Sequence, residues 1–277
     1  MEEKHDLSNE NIIYVKKENQ EYIQFKKLLK YSDIITHCYS VGIDKNYRTL
    51  NVDLTNLSDE EYKKNFENYK TLCTENNMDY TKLIRARQAH TDIINAKENV
   101  EKNKTIDTNE IADGLITNKR KLVLATTNAD CILLLFFDPV KKVIANTHSG
   151  WKGTLQDISV KTIEKMKNDY GCNPKDIIVC ICPSIRKCHF EVEEDVYLLY
   201  FNKFKKLGDM NAFIEKKGNK WHIDTVLINK IILKKAGILE ENIIDCGICS
   251  VCNKNYIHSY RTEGKGYGLG VALICLK

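Results

Sequence analysis

Residues 121–153, KLVLATTNADCILLLFFDPVKKVIANTHSGWKG, are the most strongly patterned part of the chain. They read as strand LVLATT, strand CILLLFF, a turn at DPVKK, strand VIANTH and a Gly-Trp-Lys-Gly loop, with a helix from Thr154. Thr154 and Asp157 resemble a capping box, and Ile158, Ile163 and Met166 supply part of an inward helix face. Outward from this block, residues 11–16 read as a strand and 21–29 as a strand or short helix. Residues 58–76 read as a helix with Ser58 as N-cap, Glu61 three residues on, and Tyr62, Phe66, Tyr69 and Cys73 on one stripe. Residues 82–88 read as a strand ending just before His90, and the polar stretch 95–110 as a surface loop. Beyond the block come a strand at 176–182, helices near 193–207 and 224–236, and strands near 242–248 and 270–276. This irregular alternation predicts an α/β or α+β class with mixed sheets. One domain spanning 1–277 is expected, with residues 1–10 as a flexible lead-in.

The totals exclude several function classes. The 277 residues are enough to bury a core without staples. The longest apolar run, Ile132 to Phe137, is far too short to span a bilayer, so no membrane partner is expected. The first ten residues, MEEKHDLSNE, lack the apolar region of a secretory signal. Eleven cysteines, an odd number, then suit a reducing cytoplasm in which most are buried thiols. A net charge of +4 with scattered lysines argues against a nucleic-acid partner.

In Asp138-Pro139-Val140-Lys141, proline stands where a type I turn takes it. With Pro139 and Val140 as the two central residues, Cys131 falls directly opposite His148. Opposed side chains lie roughly 4.5–5.5 Å apart at Cβ, which suits a thiolate and an imidazole sharing one metal ion. A three-residue loop with a bulge would shift this register. Ser149 to Gly153 leads into a helix N-terminus that favours an anion such as phosphate, with Lys152 as counter-charge. Asp130 places a carboxylate beside the thiol, as a partner for an imidazole N–H or as a catalytic acid/base. Trp151 and Tyr260 are candidates to stack on a substrate ring.

The run Ala129-Asp130-Cys131, Asp138-Pro139 and His148-Ser149-Gly150-Trp151-Lys152-Gly153 resembles the signature of the laccase-domain family. Its members are also called YfiH-like proteins, multicopper polyphenol oxidoreductases or peptidoglycan editing factors. Arg87-Gln88-Ala89-His90, Ala112 to Thr117, Pro183 to Val192, Trp221 to Asp224 and His258 to Arg261 are similar to further family segments. The resemblance covers about residues 80–277. It implies a single-domain α/β fold with stacked mixed sheets flanked by helices, and a zinc centre held by His90, Cys131 and His148. It also implies purine nucleosides and phosphate as substrates: phosphorolysis of adenosine, inosine or methylthioadenosine, and deamination of adenosine. Arg261 and Arg48 are candidate substrate contacts, although residues 38–50 lack the family's Arg-Gly-Gly-Val-Ser pattern. A monomer or weak homodimer is expected.

Three protein ligands with an open position mark a catalytic zinc, able to activate water for attack on C6 of adenosine. Copper is the alternative metal, as in a polyphenol oxidase, but no His-x-His occurs among the seven histidines. A metal-free Cys131/His148 hydrolase acting on peptidoglycan precursors is the second alternative. A structural zinc module is the third: Cys246, Cys249 and Cys252 include a C-x2-C pair, and Cys180, Cys182 and Cys188 cluster, but no second C-x2-C pair or spaced His pair completes it. The clusters Cys180, Cys182, Cys188 and Cys246, Cys249, Cys252 are therefore expected to be buried strand residues.

Overall fold

Ile132–Asp138 carries no polar–apolar alternation because both of its faces are covered, and every residue in it is buried. In the computed structural model, which describes residues 6–47, 59–98 and 107–277, this strand lies inside a six-stranded sheet. The order is Ile243–Asp245, Ile178–Ile181, Ile132–Asp138, Val143–Ser149, Gly114–Thr117, Ile94–Ala96. A seven-stranded sheet runs Ile12–Lys16, Glu21–Phe25, Ile35–Val41, Gly270–Leu276, Val123–Asn128, Leu83–Arg87, Asp107–Ile111. Both sheets mix parallel and antiparallel pairs.

The two sheets stack face to face. Ile84, Leu124, Ala272 and Ile274 of the seven-stranded sheet share one core with Leu133, Leu135, Phe137 and Ile144 of the other. The outer face of the first sheet, with Val123, Ala125, Val271 and Leu273, packs on Tyr69, Leu72 and Cys73 of helix Asp59–Glu75. The outer face of the second, with Leu134, Phe136 and Ala145, packs on Ile163 and Met166 of helix Ile158–Tyr170 and on Val226 and Leu233 of helix Thr225–Lys235. The layers therefore run helix, sheet, sheet, helices, as the α/β class with stacked mixed sheets predicts. One polar bolt crosses the central layer. Asn146 Nδ2 donates to the carbonyls of Leu124 (3.0 Å) and Ala272 (2.8 Å), fixing one sheet against the other. A smaller sheet of Glu191–Val192, Lys220–Ile223 and Ile214–Lys217 sits beside helix Glu194–Phe204.

Local departures from the sequence reading have physical causes. The DPVKK turn is a four-residue loop: Asp138 pairs with Val143, and His148 with Leu133. Asp138 Oδ1 accepts from the amides of Val140 (2.8 Å) and Lys141 (2.9 Å), and Lys142 takes a left-handed φ of 54°. Cys131 is therefore not directly opposite His148. The helix expected from Thr154 is two helices, Trp151–Leu155 and Ile158–Tyr170, broken where Asp157 adopts φ 57°. Asp157 makes no cap hydrogen bond there and pairs with Lys203 instead. The stretch read as a polar loop contributes Asp107–Ile111, an edge strand recruited by parallel pairing with Leu83–Arg87 rather than by apolar pattern. Strands Ile35–Val41, Ile214–Lys217 and Lys220–Ile223 have no counterpart in the sequence reading. Ser58 lies outside the described residues, as do residues 1–5. In the lead-in that is described, Leu7 is buried and Asn9 Nδ2 donates to the Cys246 carbonyl (2.9 Å). Cys180, Cys182, Cys246 and Cys249 are buried as expected, whereas Cys188 and Cys252 are exposed, and of the six only Cys180 lies in a strand.

Candidate metal centre

The chain crosses from one sheet to the other between Val123–Asn128 and Ile132–Asp138, and Cys131 sits at that crossing. A register slipped by two residues preserves the parity of the ladder, so Cys131 and His148 meet diagonally rather than face to face. His90 arrives from the end of Leu83–Arg87 in the other sheet. The ligand atoms of His90, Cys131 and His148 all lie within 4.8 Å of one another. Cys131 Sγ stands 3.8 Å from His90 Nε2, and the two imidazoles meet edge to face with ring centroids 4.9 Å apart. Zinc at ~2.3 Å from sulfur and ~2.0–2.1 Å from nitrogen implies a tetrahedral S–N separation of roughly 3.6 Å, so the donors fit such an ion.

One buried carboxylate organises both histidines. Asp113 Oδ1 receives His148 Nδ1 at 2.8 Å, which leaves His148 Nε2 for a metal. The same carboxylate accepts from the amides of Ala89 (3.2 Å), His90 (3.1 Å) and Thr91 (2.6 Å) and from the Thr91 hydroxyl (2.7 Å). These bonds hold His90 at φ 58°, a left-handed conformation that a β-carbon disfavours. Burial would raise the Asp113 carboxyl, but His148 and Thr91 outweigh it and hold the group down at about 2. Asp130, the expected partner of an imidazole N–H, does not serve as one. Its oxygens accept from Ser250 Oγ (2.6 Å) and from the Arg261 amide (2.8 Å). Asp113 was legible only as part of the Ala112–Thr117 segment, and its bonds to His90 and His148 span sequence separations that no local pattern reports.

Cys131 and His148 form a charged pair with His90 beside them. Burial alone would raise the Cys131 thiol, yet His148 and His90 overcome it and bring it down to about 6. Burial likewise opposes charge on His148, but Cys131 and Asp113 hold the imidazolium, up to about 9. After chelation, iodoacetamide should therefore label Cys131 with a midpoint near pH 6, against ~8.5 for an ordinary thiol. Added zinc should block the labelling. An ordinary midpoint, or labelling indifferent to zinc, would contradict the arrangement.

The centre opens into a cavity of about 930 Å³. Of the residues read from the sequence as catalytic or substrate candidates beside the metal ligands, Asp130, Trp151, Tyr260 and Arg261 line it. Lys152 does not line it: its Nζ lies over the Trp151 ring, 5.3 Å from the centroid. Arg48 lies outside the described residues. The wall also includes Arg85, Gln88, Phe190 and Tyr267, which sequence reasoning missed. Arg85 is buried within the apolar strand LIRAR, a placement that in itself signals a partner. Its guanidinium donates to the Tyr47 carbonyl (2.9 Å), Tyr69 Oη (2.9 Å) and Thr127 Oγ1 (2.8 Å). Gln88 continues the ladder with its side chain, accepting from Thr127 N and donating to Thr127 O, each at 2.8 Å. Among the described histidines only His90 and His148 line the cavity; His37, His222 and His258 are held by backbone groups elsewhere.

A helix–sheet–sheet–helix sandwich with a His2Cys donor set in a cavity wall defines an α/β protein able to hold a metal beside a substrate-sized space. The chain belongs to the family described as multi-copper polyphenol oxidoreductase laccase, whose model matches residues 36–277. It is 33% identical over 228 residues to the purine nucleoside phosphorylase CA_C1699 of Clostridium acetobutylicum, covering 80% of this chain and 86% of that one. It is 31% identical over 172 residues to the mouse purine nucleoside phosphorylase LACC1, covering 61% of this chain. Similarity to a protein named adenosine deaminase RL5, from an unknown prokaryotic organism, is 28% over 202 residues, covering 72% of this chain and 76% of that one. The match spans 39% of mouse LACC1 and 59% of the purine nucleoside phosphorylase YlmD of Bacillus subtilis. Two solved structures share the fold. YlmD of Geobacillus stearothermophilus superposes with TM-score 0.81 at 19% identity, covering 96% of this chain and 99% of that one. YfiH of Bacillus licheniformis gives 0.80 at 23%, covering 95% and 99%. No described helix is long and apolar enough to cross a membrane.

Proposed function

We propose that this chain is a zinc-dependent purine nucleoside enzyme, cleaving adenosine, inosine or methylthioadenosine with phosphate and deaminating adenosine. The observation that carries the reading is the convergence of His90, Cys131 and His148 in the wall of an aromatic-lined cavity of about 930 Å³. The names of the relatives supply the substrate class. Two imidazoles and one thiolate suit a single zinc, whereas a multinuclear copper cluster needs more imidazoles than the described cavity wall offers. Zinc bound there with one open position supplies a Lewis acid for water or for a substrate atom. We place the enzyme in the cytoplasm, since the eleven cysteines are not paired in disulfides.

The protein's own groups divide the remaining work. Tyr260 and Tyr267, edge to face at 5.1 Å, together with Phe190 and Trp151 form the apolar walls suited to a purine ring. Arg261 gives two of its five N–H donors to the carbonyls of His189 (2.7 Å) and Glu191 (3.2 Å). Its other donors serve phosphate. Asp130, fixed by Ser250 and by the Arg261 backbone, stands next to Cys131 and acts as acid or base on the leaving purine. In phosphorolysis a phosphate oxygen bonds to C1′ as the C1′–N9 bond breaks, and the purine takes up a proton.

The test is a product assay on the three nucleosides, with and without phosphate, before and after chelation and zinc reloading. Phosphate-dependent base release that falls on chelation and returns with zinc is expected. Full-rate cleavage by the metal-depleted protein would overturn the reading. Tyr260→Ala is expected to raise KM for nucleoside about tenfold, at ~1–3 kcal/mol per stacked base, while zinc content stays unchanged. An unaltered KM would remove Tyr260 from the substrate site.

A further inference from the structure

A second donor set lies outside the centre already described. Cys188 and His189 come from the loop after Ile178–Ile181, and Cys249 and Cys252 from the turn after Ile243–Asp245. One ligand atom from each of the four lies within 4.8 Å of the others. The individual distances test whether one ion fits. Cys188 Sγ is 3.6 Å from Cys249 Sγ and 3.9 Å from Cys252 Sγ. His189 Nδ1 is 3.1, 3.7 and 3.6 Å from the sulfurs of Cys188, Cys249 and Cys252. Tetrahedral zinc with ~2.3 Å bonds to sulfur and ~2.0–2.1 Å to nitrogen requires roughly 3.8 Å between sulfurs and roughly 3.6 Å from sulfur to nitrogen. We propose that Cys188, His189, Cys249 and Cys252 form a second, structural zinc site.

Hydrogen bonds between the two loops bring the donors together. Ser184 N donates to Ile248 O (3.3 Å) and Ser250 N to Ser184 O (3.1 Å), zipping the two loops together. Arg186 grips Asp245 in a two-pronged pair, with Nη1 to Oδ2 at 2.8 Å and Nη2 to Oδ1 at 2.7 Å. The C-x2-C pair thus finds its partners in an adjacent Cys-His from a distant loop, which is why spacing along the chain did not reveal the set. Four protein ligands close the coordination shell, so this zinc holds structure and takes no substrate. It fastens one wall of the cavity: the His189 carbonyl receives Arg261 Nη1, and Ser250, between Cys249 and Cys252, donates to Asp130. A disulfide would use two of the thiols and leave the histidine without a role.

The site is independent of the nucleoside reading, and metal stoichiometry separates the two. Elemental analysis of protein purified under reducing conditions without chelator should give two zincs per chain. Cys188→Ser/Cys252→Ser should lose one of them, and His90→Ala the other. X-ray absorption at the zinc edge on the unaltered protein needs no variant to fold. Two sites average two sulfurs per zinc, whereas the His90 centre alone gives one sulfur and two imidazoles. A single zinc with three sulfurs and one nitrogen, kept in His90→Ala, would sustain this site while removing the other. A single zinc with one sulfur, lost in His90→Ala and kept in Cys188→Ser/Cys252→Ser, would overturn the proposal. A disulfide joining Cys188 to Cys249 or Cys252 in that reduced protein would overturn it too.

Discussion

Asp113→Asn is expected to weaken zinc binding at the His90–Cys131–His148 centre by roughly 10–100-fold, the usual cost of losing a group that orients a metal-bound histidine. Five donors converge on this carboxylate: the amides of Ala89, His90 and Thr91, the Thr91 hydroxyl and His148 Nδ1. An asparagine offers one acceptor oxygen and turns two N–H donors toward groups that are donors themselves. Each buried group left without a partner costs about 1–3 kcal/mol, so a lower Tm should accompany the weaker binding. Both ligands are affected together, because the same residue holds the His90 turn and the His148 tautomer. Competition against a chromogenic chelator measures the change. Unaltered affinity would show that the two histidines are oriented by something else.

Gly150→Ala should be as damaging to the centre and far gentler on the fold. Gly150 has φ −63° and ψ 176°, which any residue adopts, so the reason for glycine is space. A β-carbon there would lie 2.7 Å from His90 Cδ2, and 3.3 Å from both Cys131 Sγ and His148 Cε1. The added methyl must push the ligands apart, and a displacement of about 1 Å in such a constellation costs on the order of 10²-fold in rate. Circular dichroism and Tm near those of the unaltered protein are expected, with nucleoside turnover falling about a hundredfold and zinc held more weakly. A variant that retains its zinc and full turnover would mean that the glycine does not shape the centre.

The elements carried by dense apolar patterning were legible in the sequence. Ile132–Asp138, Val143–Ser149, Gly270–Leu276 and helix Thr225–Lys235 fall within a residue or two of their sequence readings, because burial on one or both faces writes itself into residue type. The hairpin register was not legible. It depends on Asp138 capping two amides and on Lys142 entering a left-handed conformation, which lengthens the loop by two residues. Parity survived the slip, which is why Cys131 and His148 still meet. Asp113 stayed hidden for a different reason: it works through bonds to residues 22–35 positions away along the chain. Cys188 and His189 were hidden in the same way from Cys249 and Cys252. Lys152 was read as a counter-charge because a helix N-terminus favours an anion, while its side chain lies over the Trp151 ring.

The most direct test of the central claim is a zinc-edge anomalous difference map from crystals of the protein. A peak bounded by His90 Nε2, Cys131 Sγ and His148 Nε2, with its remaining side open to the cavity and no fourth protein ligand, is the predicted result. A map with no density among those three atoms, or one in which another side chain completes the shell, would contradict it.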